Sequence, residues 1–373
     1  MHALILGTRG IPSKHSGFET FAQDLSLFLR DRGHDVTVYC QTGRGEQFRE
    51  DTWQGIRRVH IPAGDGPLGT IFFDWRAVRH SMREKGVVLT LGYNTGVFNA
   101  WYRLQRMPNL MNMDGIEWKR AKWSFPVRTW FWFNEWAGAR VANHLIADHP
   151  EIKKHLERHT SSKRITVIPY GAYPVHSAPV RLIEPYLLQP GGYYLLIARP
   201  EPENSILEIV QAFSRRGSEV PLVILGKYSR TGTKFQNKVL DAANERVKFP
   251  GAIFDRDIVR ALRFHARGYI HGHRVGGTNP SLVESLAAGN AVIAHDNRFN
   301  RWVAGPDARY FEGADDLAAI LDELDTNPDQ LRAMGEASRR RHDEAFKQEQ
   351  VLTAYEEALL AFISTCSPAG VAV

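Results

Sequence analysis

The segment HGHRVGGTNPSLVESLAAG, residues 271–289, contains the residue types of an anion-binding site. It follows a short apolar strand, passes through a turn rich in Gly, Asn and Pro, and enters a predicted helix whose first turn contains Ser281. Backbone amides of the turn and the helix N-terminus can together bind anionic oxygens. Glu284 lies three residues into that helix, where its carboxylate can accept a sugar hydroxyl. The segment therefore predicts a site for a nucleotide-diphosphate sugar.

The same segment can also be interpreted as a helix cap. In a capping box, Ser281 is the N-cap and Glu284 reaches back to its amide. A cap does not require the two histidines, the paired glycines or the Asn-Pro pair upstream, so the binding interpretation is favoured. The residues of this segment that we predict to bind the nucleotide-diphosphate sugar are His271, Gly276, Gly277, Thr278, Asn279, Ser281 and Glu284.

Length and composition indicate a folded chain of two domains. At 373 residues the chain is too long for one ordinary core. Cys40 and Cys366 have no metal-ligand spacing, which argues against a disulfide framework or a zinc site and favours a reducing cytoplasm. The N-terminal residues have the pattern of a first strand and not of a signal peptide. No run of about 18 apolar residues predicts a membrane span.

The positive charge is concentrated in the first half of the chain. Residues 1–175 contain 24 Lys and Arg against 16 Asp and Glu, whereas residues 176–373 contain 23 against 25. An anionic partner is therefore expected to meet the first half.

Strand-like and helix-like segments alternate along the chain, which predicts an α/β fold with two parallel sheets, each covered by helices on both faces. A segment rich in Pro and Gly between Tyr170 and Gly192 marks the boundary. We expect an N-terminal domain over residues 1–175, a C-terminal domain over residues 190–345, and a final helix within residues 346–373 that packs back on the first domain. The predicted strands are Ala3–Leu6, Val36–Tyr39, Val87–Leu91, Leu110–Met113, Leu145–Ala147, Ile165–Ile168, Tyr193–Ala198, Leu222–Leu225, Val247–Phe249, Tyr269–His271 and Ala291–Ala294. The predicted helices include Phe18–Arg32, Ile206–Phe213, Ile258–Phe264, Pro280–Ala288, Leu317–Leu324 and Gln348–Phe362.

Ligands of open parallel sheets bind beyond the carboxyl ends of the strands, so the residues there are candidates. Arg199 directly follows one predicted strand of the second half, where a guanidinium can pair with phosphate through two hydrogen bonds. Asn204 opens the next helix, and Lys227 follows the neighbouring strand. The alternatives are a surface salt bridge for Arg199 and a solvated side chain for Lys227.

The first half has two comparable loops. The loop from Gly7 to Phe18 is longer than usual and lacks the GxGxxG order, but Gly17 precedes a helix whose amides can face a phosphate. A purely structural loop is the alternative. Asp114 follows the predicted strand Leu110–Met113.

Aromatic and basic residues interleave just beyond Asp114. This composition is typical of a membrane interface or of a site for a lipid-phosphate head group. The other interpretation, which stays open at this point, is an aromatic helix packed in the core with Lys and Arg side chains extending to solvent. The residues that we assign to a membrane or acceptor surface are Trp118, Lys119, Arg120, Lys122 and Trp123.

The segment Asp255-Arg-Asp257 has the spacing of a DxD metal motif. It directly precedes the predicted helix Ile258–Phe264, where Asp255 is a natural N-cap and Asp257 is favoured by the helix dipole. We therefore predict a cap here and no metal.

Taken together, these motifs resemble the family-4 retaining glycosyltransferases with two Rossmann-like domains, the GT-B type, and within them the bacterial polysaccharide rhamnosyltransferases. The resemblance implies two parallel sheets that face a central cleft, retention of the anomeric configuration, and no metal or other cofactor. The motifs that carry it are GTRGIPSKHSGFET, MDGIEWKRAKW, RPEPEN, YIHGHRVGGTNPSLVES and HDNRFNR, which span nearly the full length.

The chain departs from the family pattern at the donor site. In the family, two glutamates separated by seven residues flank that site. Glu284 matches the second, which implies contact with the ribose, whereas Gly276 occupies the first position. We therefore expect amides of residues 277–279 to bind the donor sugar.

An Arg/Lys pair on the diphosphate is also usual in the family. Arg199 matches the Arg, but Asn204 occupies the Lys position. We expect Lys227 or Arg274 to supply the missing charge.

The sequence thus predicts a cytoplasmic enzyme that transfers a sugar, L-rhamnose from dTDP-rhamnose, to a cell-surface or lipid-linked glycan, with peripheral membrane contact through the N-terminal domain and no nucleic-acid partner. The candidate catalytic residues, which would orient the acceptor or stabilise a cationic sugar, are Asp114 and Glu19. Two other functions fit the same motifs. One is a nucleotide-sugar epimerase, and the other is a non-catalytic factor at the membrane surface that senses the nucleotide sugar.

Overall fold

A computed structural model describes residues 1–13, 17–120 and 122–364 of the chain. The chain divides into two compact units. Unit 1 contains residues 1–169 and the C-terminal segment that begins at Gln350, and unit 2 contains Tyr170–Glu349. Unit 1 is therefore discontinuous in sequence, whereas unit 2 is one continuous segment.

Unit 1 is built on an eight-stranded sheet in the order β3-β4-β2-β1-β5-β6-β7-β8. All neighbouring pairs are parallel except β3 and β4. The strands are β1 His2–Leu6, β2 Asp35–Thr42, β3 Arg49–Trp53, β4 Ile56–Pro62, β5 Val87–Leu91, β6 Asn109–Asn112, β7 His144–Ala147 and β8 Ile165–Val167. The helices of unit 1 are α1 Gly17–Asp31, α2 Gly66–Ser81, α3 Ala100–Leu104, α4 Phe125–Val141 and α5 Pro150–Leu156.

Unit 2 is built on a six-stranded parallel sheet in the order β11-β10-β9-β12-β13-β14. Numbered from its own first strand, this is the order 3-2-1-4-5-6 of a Rossmann domain. The strands are β9 Tyr194–Ile197, β10 Leu222–Leu225, β11 Val247–Gly251, β12 Gly268–His271, β13 Val292–His295 and β14 Arg309–Phe311. Its helices are α6 Ile206–Arg215, α7 Lys234–Ala242, α8 Arg256–Phe264, α9 Pro280–Ala287, α10 Arg298–Ala304, α11 Ala314–Asp325 and α12 Pro328–Ala345.

Each sheet buries both of its faces, because successive side chains of a strand point to opposite sides. In β1, Ala3 and Ile5 pack with α1, whereas Leu4 and Leu6 pack with α2. In unit 2, the even-numbered residues of β9 pack with α6 and α11, and Leu195 packs with α8 on the other side. This arrangement confirms the predicted α/β class with two Rossmann-like sheets.

The last helix of the chain belongs to the core of unit 1. Helix α13, Gln348–Ser364, contributes Val351, Leu352, Tyr355 and Leu359 to the cluster that also contains the apolar face of α1. None of the described helices combines the length and the apolar composition that crossing a bilayer requires.

Two expectations about the sheets were incomplete. The hairpin β3–β4 was not predicted, and β3 is antiparallel, so the first sheet is not wholly parallel. Both strands of the hairpin carry consecutive charged residues, and Arg58 of β4 pairs with Asp51 of β3 across the ladder at 2.7 Å. The three-residue edge strand β14 was also not predicted.

Candidate active site

The carboxyl edge of the sheet in unit 2 gathers most of the residues that we predicted to bind a donor. Strands β9 and β12 are neighbours although they are the first and fourth strands of the unit, so the strand order reverses between them. The crevice outside such a reversal is the usual ligand site of an open α/β sheet. Arg199 follows β9, and the turn of residues 272–279 follows β12, so both lie at this point. Lys227 follows β10 on the same edge.

The cations at this edge differ in how they are held. The side chains of Arg199 and Lys227 are exposed, and no described residue forms a hydrogen bond or an ion pair with either of them. Arg274, in contrast, donates to Ser205 Oγ at 2.7 Å and pairs with Glu208 at 2.6 Å. Of the two expected substitutes for the family's lysine, Lys227 is therefore the one whose cationic group has no partner among the described residues, whereas the Arg274 guanidinium is already paired with Glu208.

Asn204 does not present its side chain to that edge. The residue is buried, and its amide nitrogen donates to the carbonyl oxygen of Arg199 at 2.9 Å. Its backbone carbonyl also approaches Gly272 so closely that a Cβ there would lie 2.1 Å from the oxygen. Asn204 therefore contacts both the loop after β9, through Arg199, and the loop after β12, through Gly272. The resemblance to the family did not predict this role.

The turn after β12 has the backbone of an anion site. Gly276 has a φ of 132°, a region that L-residues with side chains avoid. Apart from its two chain neighbours, no described residue has a heavy atom within 4 Å of where the Gly276 Cβ would be. The open space around this residue leaves room for a ligand next to the main chain. Helix α9 then begins at Pro280, which has no N–H and suits the first helical position.

The N-cap of α9 is Asn279 and not Ser281. The Asn279 side chain accepts a hydrogen bond from the Ser281 amide at 3.0 Å. The capping box that we considered as the alternative is therefore wrong, because its two members lie inside the helix. Thr278, directly before the cap, is buried, and Gly277 beside it is partly exposed.

The side chain of Ser281 belongs to a network that positions Glu284. Ser281 Oγ lies 2.7 Å from the Tyr269 hydroxyl and accepts from Arg263 Nη2 at 3.1 Å. The Arg263 guanidinium, with only 9% of its side chain exposed, forms an ion pair with the Glu284 carboxylate, whose side chain is 45% exposed. Glu284 is therefore fixed by a buried arginine and still keeps exposed surface that can accept a hydroxyl.

Arg263 and Tyr269 were not predicted as site residues. Arg263 lies on α8 between Leu262 and Phe264. A charged residue between two apolar residues is the one sequence signal that could have indicated its role. Nothing in the spacing of residues connects it to Glu284, because the two belong to different helices.

His271 lies behind the turn and not on its surface. It is fully buried, its ring stacks on His273 at 4.4 Å between centroids, and neither of its ring nitrogens has a hydrogen-bond partner among the described residues. Burial, together with His273 and His295 nearby, lowers the pKa of His271 well below its usual value. His271 is thus a neutral packing residue that supports the turn in this structure.

Asp255 is a helix cap, as predicted. Its Oδ1 accepts from the amides of Asp257 at 2.9 Å and of Ile258 at 3.1 Å, at the start of α8. The carboxylate of the DxD-like segment is thus engaged by main-chain donors.

In unit 1, Glu19 and Asp114 lie at one carboxyl edge. Glu19 is a buried residue in the first turn of α1, after β1, and Asp114 follows β6, two strands away. Asp114 has a φ of 46°, a left-handed conformation that is rare outside glycine and that functional loops often contain. Its amide donates to Asn112 Oδ1 at 2.8 Å, and Asn112 in turn donates to the Tyr355 hydroxyl of α13 at 2.6 Å.

Gly17 was expected to precede a helix, and in the structure it is the first residue of α1 and is exposed. The three residues before it, 14–16, lie outside the described residues. The predicted phosphate-binding loop after β1 is therefore described only up to Ser13 and from Gly17 onward.

The interleaved aromatic and basic residues after Asp114 are mostly engaged with acidic groups. Trp118 Nε1 donates to Glu135 at 3.0 Å, and Trp123 Nε1 donates to Glu117 at 3.1 Å. Arg120 pairs with Glu117 at 2.8 Å. The ammonium groups of Lys119 and Lys122 lie over the Trp118 and Trp123 rings at 5.3 and 4.6 Å.

The exposed aromatic residues lie further along, on α4. Helix α4 is therefore not packed wholly in the core, and only one of its sides is buried. The buried residues are Asn134, Glu135, Ala137, Gly138 and Ala139. The exposed side chains are Phe125 at 81%, Trp132 at 46%, Phe133 at 39% and Trp136 at 38%.

The chain matches a family model in sequence over its first half and resembles solved structures over almost its full length. Residues 1–173 match a family model described as a domain of unknown function, DUF1972. No curated protein matches the chain in sequence. The structure is similar to sucrose-phosphate synthase from Thermosynechococcus elongatus, with a TM-score of 0.80 and 16% identity over 98% of this chain and 99% of that one.

Two further structures are similar over almost their full length. HepE from Anabaena, solved in complex with UDP-glucose, has a TM-score of 0.75 and 14% identity over 97% of this chain and 100% of that one. An α,α-trehalose-phosphate synthase (UDP-forming) from Burkholderia xenovorans, in complex with glucose-6-phosphate, has a TM-score of 0.73 and 13% identity over 96% and 100%. At these identities the likeness establishes the fold, which is a pair of Rossmann-like domains of the GT-B type.

Proposed function

We propose that this protein is a retaining glycosyltransferase that uses a nucleotide-diphosphate sugar as its donor. The observation that carries the proposal is the carboxyl edge of unit 2. Exposed Arg199 and the open glycine turn lie there at the strand reversal, exposed Lys227 follows the neighbouring strand β10, and Glu284 on α9 is a fixed, half-exposed carboxylate. Arg199 and Lys227 supply positive charge for a diphosphate, and Glu284 supplies an acceptor for a sugar hydroxyl. The UDP-glucose bound by HepE is a ligand of this chemical class.

The chemistry at this edge is stabilisation of a departing diphosphate. As the bond between the anomeric carbon and the phosphate oxygen breaks, negative charge develops on the leaving oxygen. Arg199, Lys227 and the amides of residues 276–279 can stabilise that charge, and in many enzymes such electrostatic stabilisation accounts for most of the rate enhancement. The leaving oxygen then accepts the proton of the acceptor hydroxyl on the same face of the sugar, so that the new bond retains the anomeric configuration and no enzyme nucleophile is needed. This scheme assigns no step to a metal or other cofactor.

We propose L-rhamnose from dTDP-rhamnose as the donor, on the resemblance of the sequence motifs to polysaccharide rhamnosyltransferases. The nucleoside of that donor contains deoxyribose, which has one hydroxyl fewer than ribose. Glu284 then accepts a hydrogen bond from the single remaining hydroxyl of the deoxyribose. Discrimination between dTDP and UDP donors depends on the residues around Glu284.

The proposed acceptor is a lipid-linked or cell-surface glycan at the cytoplasmic face of a membrane. Support comes from unit 1, where α4 exposes four large aromatic side chains and Arg140 lies over the Trp136 ring at 4.3 Å. Aromatic rings beside cationic side chains suit the interface of an anionic membrane. Asp114 and Glu19 are proposed to orient the acceptor hydroxyl or to stabilise a cationic sugar.

The experiment that tests the proposal has two stages. The purified chain is first screened by thermal shift against dTDP-, UDP- and GDP-sugars, because a bound donor stabilises the folded state by mass action. The best donor is then incubated with and without a lipid-linked glycan, and the products are separated. A sugar on the glycan supports the transferase, a new free nucleotide sugar formed from donor alone identifies an epimerase, and binding without any product identifies a sensor. Absence of stabilisation by every nucleotide sugar contradicts all three.

A further inference from the structure

Unit 1 contains a convergence of metal-binding side chains that the proposed transfer reaction does not use. Glu135 on α4, His155 on α5 and His159 in the turn after α5 bring one oxygen and two nitrogen atoms within 4.8 Å of one another. The His155 and His159 Nε2 atoms lie 2.7 and 3.3 Å from the same oxygen of Glu135. Three ligand atoms from two helices and a turn thus meet at one point.

Burial of the charged Glu135 carboxylate is energetically unfavourable unless a positive group lies beside it. Only 2% of the Glu135 side chain is exposed, and a buried carboxylate requires compensation by a cation or by several hydrogen bonds. Its other oxygen accepts from Trp118 Nε1 at 3.0 Å, which is a neutral donor. The groups that face the first oxygen are two imidazoles, which carry no permanent charge.

A second buried carboxylate in unit 1 shows the usual solution. Glu356 on α13, with 6% of its side chain exposed, pairs with Arg32 at 2.8 Å and with one imidazole, His34, at 2.7 Å. Arginine keeps its charge throughout the accessible pH range, so Glu356 has a permanent cation beside it. The ion pairs that the structure gives for Glu135, in contrast, join it to His155 and His159.

From this contrast we infer that Glu135, His155 and His159 form a Zn²⁺ site in unit 1. Two imidazoles and a carboxylate are one of the sets of three protein ligands that hold zinc, with water as the fourth ligand. Ligand atoms of a tetrahedral zinc lie about 3.4 Å apart, given metal bonds near 2.1 Å. The two histidine nitrogens lie 2.7 and 3.3 Å from the Glu135 oxygen, so side-chain movements of less than about 1 Å would separate the three atoms enough to hold the ion. His159, with 16% of its side chain exposed, provides the path by which the ion enters.

The surroundings have the second layer that metal sites require. A ligating carboxylate is normally held by a hydrogen bond to its free oxygen, and Trp118 Nε1 provides that bond. Trp118 lies in the segment between Asp114 and α4, so the ion would link this segment to α4 and to the turn after α5. The inferred role is structural, and it departs from the sequence-based expectation that the chain binds no metal.

The test is Zn²⁺ binding to the full chain without a histidine tag, after removal of metals with a chelator. Competition with a chromophoric chelator is expected to give one tight site per chain, and Co²⁺ in its place is expected to give the visible absorption bands of four-coordinate cobalt. Glu135→Gln, His155→Gln and His159→Gln are each expected to weaken Zn²⁺ binding at least about 10-fold, and Trp118→Phe about 10-fold through the lost second-layer hydrogen bond.

Two control variants separate the site from general histidine binding. His34→Gln removes an imidazole from the other carboxylate–imidazole pair of unit 1, and His295→Gln removes one from unit 2. Both are expected to bind Zn²⁺ as the parent chain does. If Glu135→Gln fails to fold by circular dichroism, the less buried His159→Gln and the conservative Trp118→Phe carry the test.

The inference is overturned if the metal-free chain takes up no stoichiometric Zn²⁺. It is equally overturned if the His159→Gln and Trp118→Phe variants bind as tightly as the parent, or if His34→Gln weakens binding as much as they do. None of these measurements involves sugar transfer, so this inference and the proposed function can fail separately.

Discussion

The turn after β12 in unit 2 and the segment after β6 in unit 1 both follow the carboxyl end of a parallel strand. They differ in the groups that they present, which are main-chain groups in the turn and side chains in the segment. The turn after β12 relies on the main chain: an open glycine, a capped helix start and backbone amides. The segment after β6 relies on side chains, with tryptophans, lysines and an arginine paired to carboxylates. A main-chain site suits a constant group such as a diphosphate, whereas a side-chain surface can vary with the partner it meets.

The largest expected effect is at Arg199, beside the main-chain site of unit 2. Arg199→Ala is expected to reduce sugar transfer by about 10²- to 10³-fold, because a donor that stabilises developing charge is lost. Steady-state rates with the best donor measure the effect. The matched control is Arg215→Ala, which removes an exposed arginine of α6 whose ion pair in the described part of the chain is with the exposed Asp315. Equal activity of the Arg199 variant and the control would remove the proposed diphosphate site.

Asp114 tests whether unit 1 acts on the acceptor and not on the donor. Asp114→Asn keeps the size of the side chain and is expected to lower transfer by about 10²-fold, the lower range for a positioned acid or base. Donor affinity, measured by calorimetry, is expected to stay unchanged. A weakened donor affinity with an unchanged rate would reverse the assignment of the two units.

Glu284 tests the carboxylate of the main-chain site. Glu284→Gln can still hydrogen-bond to Arg263 but loses the charged acceptor, so donor affinity is expected to fall by about 10-fold. Glu284→Ala also leaves the buried Arg263 guanidinium without its carboxylate, and we expect it to lose about 1 kcal/mol of unfolding free energy in addition. Calorimetry and urea denaturation separate the two effects. Retention of full donor affinity in Glu284→Gln would exclude a direct contact.

The aromatic surface of α4 is tested with vesicles. The double variant Phe125→Ser with Trp132→Ser is expected to bind anionic vesicles about 10-fold more weakly at low salt, because apolar area that would enter the interface is removed. Phe254→Ser, which changes an exposed phenylalanine of unit 2, is the control. If the parent chain does not sediment with anionic vesicles, the membrane role fails regardless of the variants.

The smallest expected effect is at Asp255. Asp255→Ala removes the N-cap of α8 and is expected to cost about 1 kcal/mol of unfolding free energy, measured by urea denaturation, with no loss of transfer. A large loss of activity with intact stability would instead indicate that this carboxylate works in catalysis, as a DxD metal motif would require.

The apolar strands and the N-cap Asp255 were the parts of this fold that sequence patterns predicted best. Five-residue β5 was predicted with its observed bounds, because all of its residues are buried and nearly all are apolar. The hairpin β3–β4 was missed because cross-strand ion pairs, such as Arg58 with Asp51, replace apolar alternation there. Pairing across strands is a property of the folded sheet, and a linear pattern does not contain it.

The site shows the same limit at the level of single side chains. The spacing of the segment after β12 correctly indicated a turn that enters a helix. The alternative interpretation placed the N-cap at Ser281, whereas the N-cap in the structure is Asn279. The partner of Glu284 could not be predicted, because Arg263 comes from a separate helix. Likewise, the burial of His271 depends on His273 and on the packing behind the turn, neither of which follows from its position after a strand.

The order in which the chain leaves the ribosome has a consequence for how it folds. Unit 2 is one uninterrupted stretch, so everything it needs is present once about residue 349 has emerged, whereas unit 1 still lacks the helix that covers α1. Domains fold as units during synthesis, generally beginning with the N-terminal one. Here the domain that is translated first is the one that is completed last. Until Tyr355 and Leu359 arrive, an apolar strip of α1 stays uncovered in the nascent chain, and the segment matched by the DUF1972 family model ends well before the residues that close it.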